Sequence, residues 1–310
     1  MYEKISLKGV SHEQWLKLRK TGIGGSDAGA LCGLNPYSSA MKVFQDKISE
    51  TVEEADNEAM RIGHDLEDYV ARRFMEATGF KVRKSNFMYR SKEHPYMLAD
   101  VDRLIVGEDA GLECKTASAY SADKWADGNI PLHYVMQCYH YMAVTGKRTW
   151  YLAAVILGKE FVYHKLEWDD ELIERLIAVE GEFWKEHVVK RVIPTPDGSR
   201  ACDEVIESYF PSARKKDSIP PLVGFDEKLK RREEILGFIS ELQEEQKQIE
   251  QEVKMFMQEH ELAGSDCYQV SWKNIDTTKL DTKRMKAEQP EIYEKYGKVS
   301  HYRRFEVKAA

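Results

Sequence analysis

Apolar residues recur at two different periods along this chain, and the change of period divides it. Near the start the spacing is helical. Ser11 is placed to cap a helix carrying Trp15, Leu16 and Leu18, and Ser38 or Ser39 opens another through Met41, Val43, Phe44 and Ile48. Between them the glycine-rich turn GIGGSDA (Gly22 to Ala28) offers Ser26 or Asp27 as the cap of a short helix to Leu31. A longer helix is predicted over Glu53 to Thr78, with Met60, Leu66, Val70 and Phe74 on its apolar face and Gly79 as its stop. The period then shortens. FKVR, NFMYR, YMLADVDRLIV and GLECKT read as strands, and a helix follows from His133 to Thr145. TWYLAAVIL and EFVYHKLEW are two more strands, the first apolar enough to be covered on both faces, and Asp169 to Arg191 is helical. This order predicts a mixed α/β fold, one central sheet flanked by helices.

The charged, proline-containing stretch KKDSIPPLVG (Lys215 to Gly224) reads as a linker between a domain at 1–214 and an accessory region at 225–310. Beyond it Phe225 to Glu261 is almost all helix formers. Ile235, Leu242, Ile249 and Phe256 repeat every seven residues, with Ile239 and Val253 beside them and Gln246 interrupting: a short coiled-coil-like seam that asks for a partner helix. The chain closes with two strand-like runs, CYQVSW and YRRFEVK, around the helical piece DTKRMKAEQPEIYEKYG.

Composition narrows the class. With 42% hydrophobic and 32% charged residues in 310, the chain can build a core and is neither fibrous nor disordered. No apolar run approaches the roughly 18 residues of a membrane span, and MYEKISLKGV has no leader-like apolar stretch. Cys32, Cys114, Cys138, Cys202 and Cys267 are dispersed, with no CxxC pair, which argues against a disulfide framework and a zinc site and for a reduced, cytoplasmic setting. The net charge of −7 excludes a chain-wide basic coat. From Tyr268 to Ala310, however, ten Lys/Arg face six Asp/Glu, and Lys283, Arg284, Arg303 and Arg304 could track a DNA backbone there.

The candidate chemistry lies in the strands. Asp102 falls at the end of one strand; Glu113 and Lys115, two apart on the next, project from one face, and the turn GEDAG joins the two. Two carboxylates and a lysine then meet at one sheet edge. Phosphodiester hydrolysis needs such a group: hard Mg²⁺ takes one or two carboxylates plus water and phosphate oxygens. The Cys114 carbonyl is a natural further ligand, and Lys115 could hold the attacking water or stabilise developing charge. An ordinary cross-strand salt bridge would look the same in this triplet alone. Upstream, mid-helix, stands Glu67; downstream, Gln137 and Tyr141 are one helical turn apart.

The order helix with Glu67, strand with Asp102, strand with GLECKT, helix with Gln137 and Tyr141 resembles the PD-(D/E)xK nuclease superfamily and its restriction-endonuclease-like core. More narrowly, WLKLRKTGIGGSDA, RIGHDLE, HPYMLADVD, GLECKT and IPLHYVMQCYHYMAVTG resemble the YqaJ-type viral recombinases, the phage lambda exonuclease family, over about Ser11 to Ile193. The resemblance implies metal ligation by Glu67, Asp102, Glu113 and the Cys114 carbonyl, with Mg²⁺ as cofactor and Mn²⁺ able to substitute. It implies Lys115 as the catalytic lysine, Gln137 orienting water or a carboxylate, and Arg19 and Ser26 binding the 5′ phosphate of a DNA end. It further implies a 5′-to-3′ exonuclease on double-stranded DNA ends that leaves 3′ tails, a single-strand-annealing partner and a homotrimeric ring, in a bacterial host or prophage. Val101 replaces the name-giving proline, Arg103 stands where small residues are common, and Asp100 replaces a serine near the phosphate pocket, where a carboxylate would repel phosphate unless turned away.

Two other readings stay open: a structure- or site-directed endonuclease of the same fold, and a non-catalytic DNA-end-binding module. His64 with Glu67 could suit zinc but lacks a second cluster, and reads as a surface histidine; His133 and His140 read as packing or solvent-facing. GIGGSDAG is no phosphate loop, since no GK[ST] follows. Trp15 and Trp125 read as structural, with base stacking as the other use.

Overall fold

The computed structural model describes residues 2–51, 58–213 and 221–308, in two compact units, Met1–Phe210 and Pro211–Ala310. The first opens with an edge strand, β1 (Tyr2–Ser6), in a stretch that reads as helical from sequence. Helix α1 (His12–Arg19) follows, closed by a capping box between Ser11 and Gln14. Next come the two-residue β2 (Ile23–Gly24) and α2 (Gly25–Leu31). Neither Ser26 nor Asp27 caps α2. Gly24 is the cap residue, and Asp27, three residues in, accepts its N–H at 2.8 Å, which leaves Ser26 free to serve the cleft. Helix α3 (Ala40–Ile48) is capped by Ser39, and α4 spans Glu58–Thr78; the expected start at Glu53 lies outside the described residues.

The glycines of GIGGSDAG have a packing role. Helix α2 crosses α5 (Leu132–Thr145) so closely that a Cβ on Gly25 would lie 2.5 Å from the Tyr141 ring, and one on Gly29 2.7 Å from the His133 Cβ. The i, i+4 glycines form the groove into which α5 settles, and that contact brings the α2 start beside Gln137 and Tyr141.

The expected single sheet is two. β4 (Phe87–Ser91) and β5 (Met97–Asp100) join β1 and β2 in the order β1-β4-β5-β2. β3 (Val82–Lys84), β6 (Arg103–Ile105), β7 (Ala110–Ala117), β8 (Thr149–Ile156) and β9 (Glu160–Glu167) form the other in that order. The run YMLADVDRLIV therefore breaks at Val101–Asp102, and its halves pair with different neighbours. Within the second sheet only β7 and β8 are parallel, with α5 as the crossover between them. Leu112 and Cys114 of β7 face Val70 and Phe74 of α4. The alternate positions, Glu113 and Lys115, face the α5 side. β8 is buried almost throughout, as its continuous apolar run requires.

Helix α6 (Asp170–Phe183) ends earlier than Arg191: a π-helical turn, Trp184–Val189, follows, and Arg191 is left-handed at φ 56°. Helix α7 (Arg200–Tyr209), capped by Ser199, carries no strong sequence signal and packs Cys202 and Val205 on Met41. The expected linker lies largely outside the described residues.

In the second unit, α8 (Asp226–Met257) runs 32 residues, and Ile235, Ile239, Leu242, Ile249 and Phe256 of its seam are exposed. β10 (Leu262–Gly264) and β11 (Gln269–Ser271) form a hairpin. The expected last helix is two, α9 (Thr282–Glu288) and α10 (Pro290–Tyr296), since Pro290 has no N–H to continue the ladder. YRRFEVK is not a strand: among the described residues none pairs with it as a neighbouring strand.

Candidate active site

The break between β5 and β6 makes the site. Asp102 leaves the ladder there and turns toward β7, where its Oδ2 accepts the Cys114 N–H at 2.8 Å. Glu113 is 2% exposed. Its Oε1 lies 2.6 Å from Lys115 Nζ and accepts a hydrogen bond from Gln137 Nε2 at 2.7 Å. The same Gln137 nitrogen donates to the Tyr141 hydroxyl at 2.8 Å. Glu113 Oε2 is buried with no hydrogen-bond partner. An anionic oxygen left bare inside a protein is costly unless a cation meets it.

Electrostatics follow from that crowding. Burial pushes the Asp102 carboxyl well above the ordinary carboxylate range, and the charge of Glu113 adds to the rise. Burial likewise raises Glu113, with Lys115 pulling against it. Burial disfavours the Lys115 ammonium, but Glu113 and Asp102 outweigh it and hold the group above the usual lysine range. Its Nζ also sits 4.8 Å over the Tyr134 ring.

These groups line one cleft of about 930 Å³, together with Arg19, Ser26, Asp100 and, from α4, Met60, His64 and Glu67. At its α1 end Arg19 Nη2 donates to Ser26 Oγ at 3.0 Å, so the two expected phosphate-binding residues are neighbours. Asp100 is turned toward the indole: Trp15 Nε1 donates to its Oδ2 at 2.6 Å, and burial raises its carboxyl. Trp15 in turn stacks with His12 at 5.4 Å and lies under the Arg19 guanidinium at 4.9 Å. Those contacts occupy the ring that base stacking would need. Trp125 is buried against Tyr134.

Glu67 reaches the cleft but is bound to Arg103 Nη1 in an ion pair. Among the described residues no three His, Cys, Asp or Glu side chains converge as a metal site. The oxygens that fit a hard divalent ion are those of Asp102 and Glu113, with the Cys114 carbonyl between them; the bare Glu113 Oε2 is the test they pass.

Two supports were not read from the sequence. The buried Lys47 pairs with Asp27 at 2.6 Å and donates to the Arg19 carbonyl at 3.1 Å, tying the end of α1 to α2. Desolvation pushes the Asp27 carboxyl up, but the nearby charges of Lys47 and Arg19 and the hydrogen bonds from Lys47 and the Gly24 N–H outweigh it and hold the group below the ordinary range. His140 and Glu180 are both fully buried; Nδ1 meets Glu180 Oε1 at 2.8 Å and Nε2 meets the Leu98 carbonyl at 2.8 Å, holding β5 to α5 and α6. Their separation in sequence hides both pairs. Met60, expected on the apolar face of α4 with Leu66, Val70 and Phe74, instead lines the cleft and is 47% exposed; its i, i+4, i+7 spacing with His64 and Glu67 is the signal that could have found this face.

Residues 14–148 match the family of YqaJ-like viral recombinase domains, a span holding Arg19, Ser26, Glu67, Asp102, Glu113, Lys115 and Gln137. The chain is 38% identical over 302 residues to the uncharacterized protein YqaJ of Bacillus subtilis (strain 168), covering 96% of this chain and 95% of that one. The chain belongs to the YqaJ family. This YqaJ-family chain also shares its fold with LHK-Exo in complex with dAMP, at a TM-score of 0.50 and 20% identity over 57% of this chain and 93% of the other. A second structure, the alkaline exonuclease LHK-Exo from Laribacter hongkongensis, matches 58% of this chain and 96% of its own at a TM-score of 0.49 and 20% identity. The YqaJ-like viral recombinase domain of this chain thus sits on a fold shared with LHK-Exo.

Proposed function

We propose that this protein is a metal-dependent deoxyribonuclease that digests double-stranded DNA from its ends, 5′ to 3′, leaving 3′ tails for recombination by strand annealing. The observation that carries the reading is the cleft floor: the buried Glu113 carboxylate beside the half-buried Asp102 carboxylate and Lys115 ammonium, with an anionic oxygen, Glu113 Oε2, left unpaired. Asp102, Glu113 and the Cys114 carbonyl would hold Mg²⁺, or Mn²⁺ in its place, which when bound polarises the phosphoryl group and acidifies water. Lys115, fixed by Glu113 and the Tyr134 face, supplies a permanent positive charge for the anion that builds up at phosphorus. Gln137 locks the Glu113 rotamer from α5. Arg19 and Ser26 would take a terminal 5′ phosphate, the guanidinium by paired N–H donors, and the turning of Asp100 onto Trp15 removes its clash with that phosphate.

The domain at 1–214 would carry the chemistry, and the accessory region at 225–310, with the exposed seam of α8 and a basic stretch from Tyr268 on, would grip DNA or an annealing partner. A chain ending at Gly224 should then keep metal-dependent cleavage and lose salt-dependent DNA affinity or partner capture. A ring of three subunits is the assembly this reading expects, and a monomeric mass by light scattering with DNA present would remove it. The deciding experiment compares linear with closed-circular duplex carrying 5′ or 3′ labels. Early release of 5′-labelled mononucleotide, with circles intact, is expected; cutting of circles would make the protein an endonuclease, and retention without cutting an end-binding module.

A further inference from the structure

Arg103 is a buried guanidinium, its side chain 4% exposed, one residue beyond Asp102. Its strand is hydrogen-bonded on both sides, to β3 and to β7, so its backbone cannot move away from the site. Nη1 donates to Glu67 Oε1 and, at 2.7 Å, to the Asp102 carbonyl; Nη2 donates to Asp68 Oδ1. A guanidinium buried this deeply needs such partners, and stripping one away would leave an uncompensated charge. Glu67 is thus already neutralised, with Lys84 Nζ a further 3.9 Å away.

We propose that the site is built for one divalent cation, held by Asp102, Glu113 and the Cys114 carbonyl, and that Arg103 is a fixed positive charge beside it, with Glu67 as the counter-ion of that guanidinium and not a metal ligand. The inference rests on the metal-dependent reading above and sets its stoichiometry. Charge supports it. Glu67, Asp68, Asp102 and Glu113 face Lys84, Arg103 and Lys115, a net charge of −1. One divalent ion turns that to +1, the complement of a phosphodiester. A second would set a dication against the fixed guanidinium and would have to take Glu67 from it. Among the described residues no third acidic, His or Cys side chain joins the Asp102–Glu113 pair to hold it. Arg103 is in this account a positioning residue: it holds Glu67 off the metal and braces the Asp102 backbone.

The test is Mn²⁺ binding to the full chain without DNA, the free ion counted by electron paramagnetic resonance. One Mn²⁺ per chain is expected. Glu67→Gln should change the affinity less than about threefold, whereas Asp102→Asn should weaken it more than tenfold. Arg103→Met, which frees Glu67, should admit a second ion, and Arg103→Lys should restore a stoichiometry of one. Because Arg103→Met removes a buried charge and can unfold the chain, Glu67→Gln decides by itself: the Asp102 carbonyl and Asp68 still hold the guanidinium there, and a melting curve checks that the variant is folded. Two Mn²⁺ per wild-type chain, or a tenfold loss in Glu67→Gln, would overturn the one-ion site and leave the nuclease reading standing. No Mn²⁺ bound to the wild-type chain would remove the metal-dependent reading, and the one-ion site with it.

Discussion

Replacing Lys115 by methionine tests whether the ammonium is the built-in counter-charge of the cleft floor. Methionine fills the volume over Tyr134, so the change is electrostatic and opens little cavity. In the wild type Nζ lies 2.6 Å from Glu113 Oε1; the glutamate is buried, and the lysine side chain is 21% exposed. Removing one partner of such a pair costs about 3–5 kcal/mol when the remaining charge has no escape. Here a proton is an escape. Protonating a carboxylate of ordinary pKa at pH 7 costs about 3.7 kcal/mol, and less for Glu113, whose carboxyl burial has already raised. The variant should therefore lose about 3 kcal/mol, and at about 2–4 °C per kcal/mol for a unit of this size its Tm should fall by roughly 6–12 °C without metal. The folded variant would hold a proton that the unfolded chain does not, so the lost stability should return as the pH is lowered. Millimolar Mg²⁺ should restore much of it at pH 7, because the ion replaces the missing charge. Cleavage of a labelled linear duplex should still fall by about 10²–10³, the usual loss for one electrostatic stabiliser of a transition state. Melting scans with and without Mg²⁺, run beside that cleavage assay, separate the two effects. A metal-free Tm unchanged from wild type would show that Lys115 does not neutralise the pair, and a rate within tenfold of wild type would remove it from the chemistry.

Arg19→Ala should erase a preference for 5′-phosphorylated over 5′-hydroxyl ends of roughly ten- to a hundredfold, the worth of one charge-assisted contact, while slow cutting survives; equal rates on the two ends in the unmodified protein would mean that no such pocket operates. Gly25→Ala drives a methyl against the Tyr141 ring, 2.5 Å from the new Cβ, and should cost about 1–3 kcal/mol and loosen Gln137, read as a lower Tm and weaker Mn²⁺ binding; a neutral outcome would show that α2 can slide off α5. Burial, helped by Lys115 and Lys124, lowers the His133 pKa to about 4. Between that value and the ordinary histidine pKa near 6.5 the unfolded chain binds the extra proton, so wild-type stability should drop on acidification from pH 7 to 5 by more than that of His133→Gln. Parallel melting curves for the two proteins would refute this.

The sequence by itself determined what is decided within a turn or two of backbone. Ser11 and Ser39 cap their helices because a hydroxyl needs only the N–H three residues on. Residues 149–156 are a doubly covered strand because from Leu152 on no polar side chain in the run offers a solvent face. Glu113 and Lys115 share a face because a strand repeats every two residues. Only the tertiary structure decided what depends on partners far along the chain. The run YMLADVDRLIV carries no local signal for a break, yet it splits between two sheets, because Asp102 finds the Cys114 N–H twelve residues on. A carboxylate at position 100 reads as hostile to phosphate until Trp15, 85 residues away, is seen to bind it. Glu67 reads as a metal ligand by its place in the order of motifs, but Arg103, 36 residues away, claims it. Side-chain period and capping are short-range and survive in the sequence pattern. The choice of counter-ion for a buried charge is made by packing, which sets which opposite charge arrives within reach.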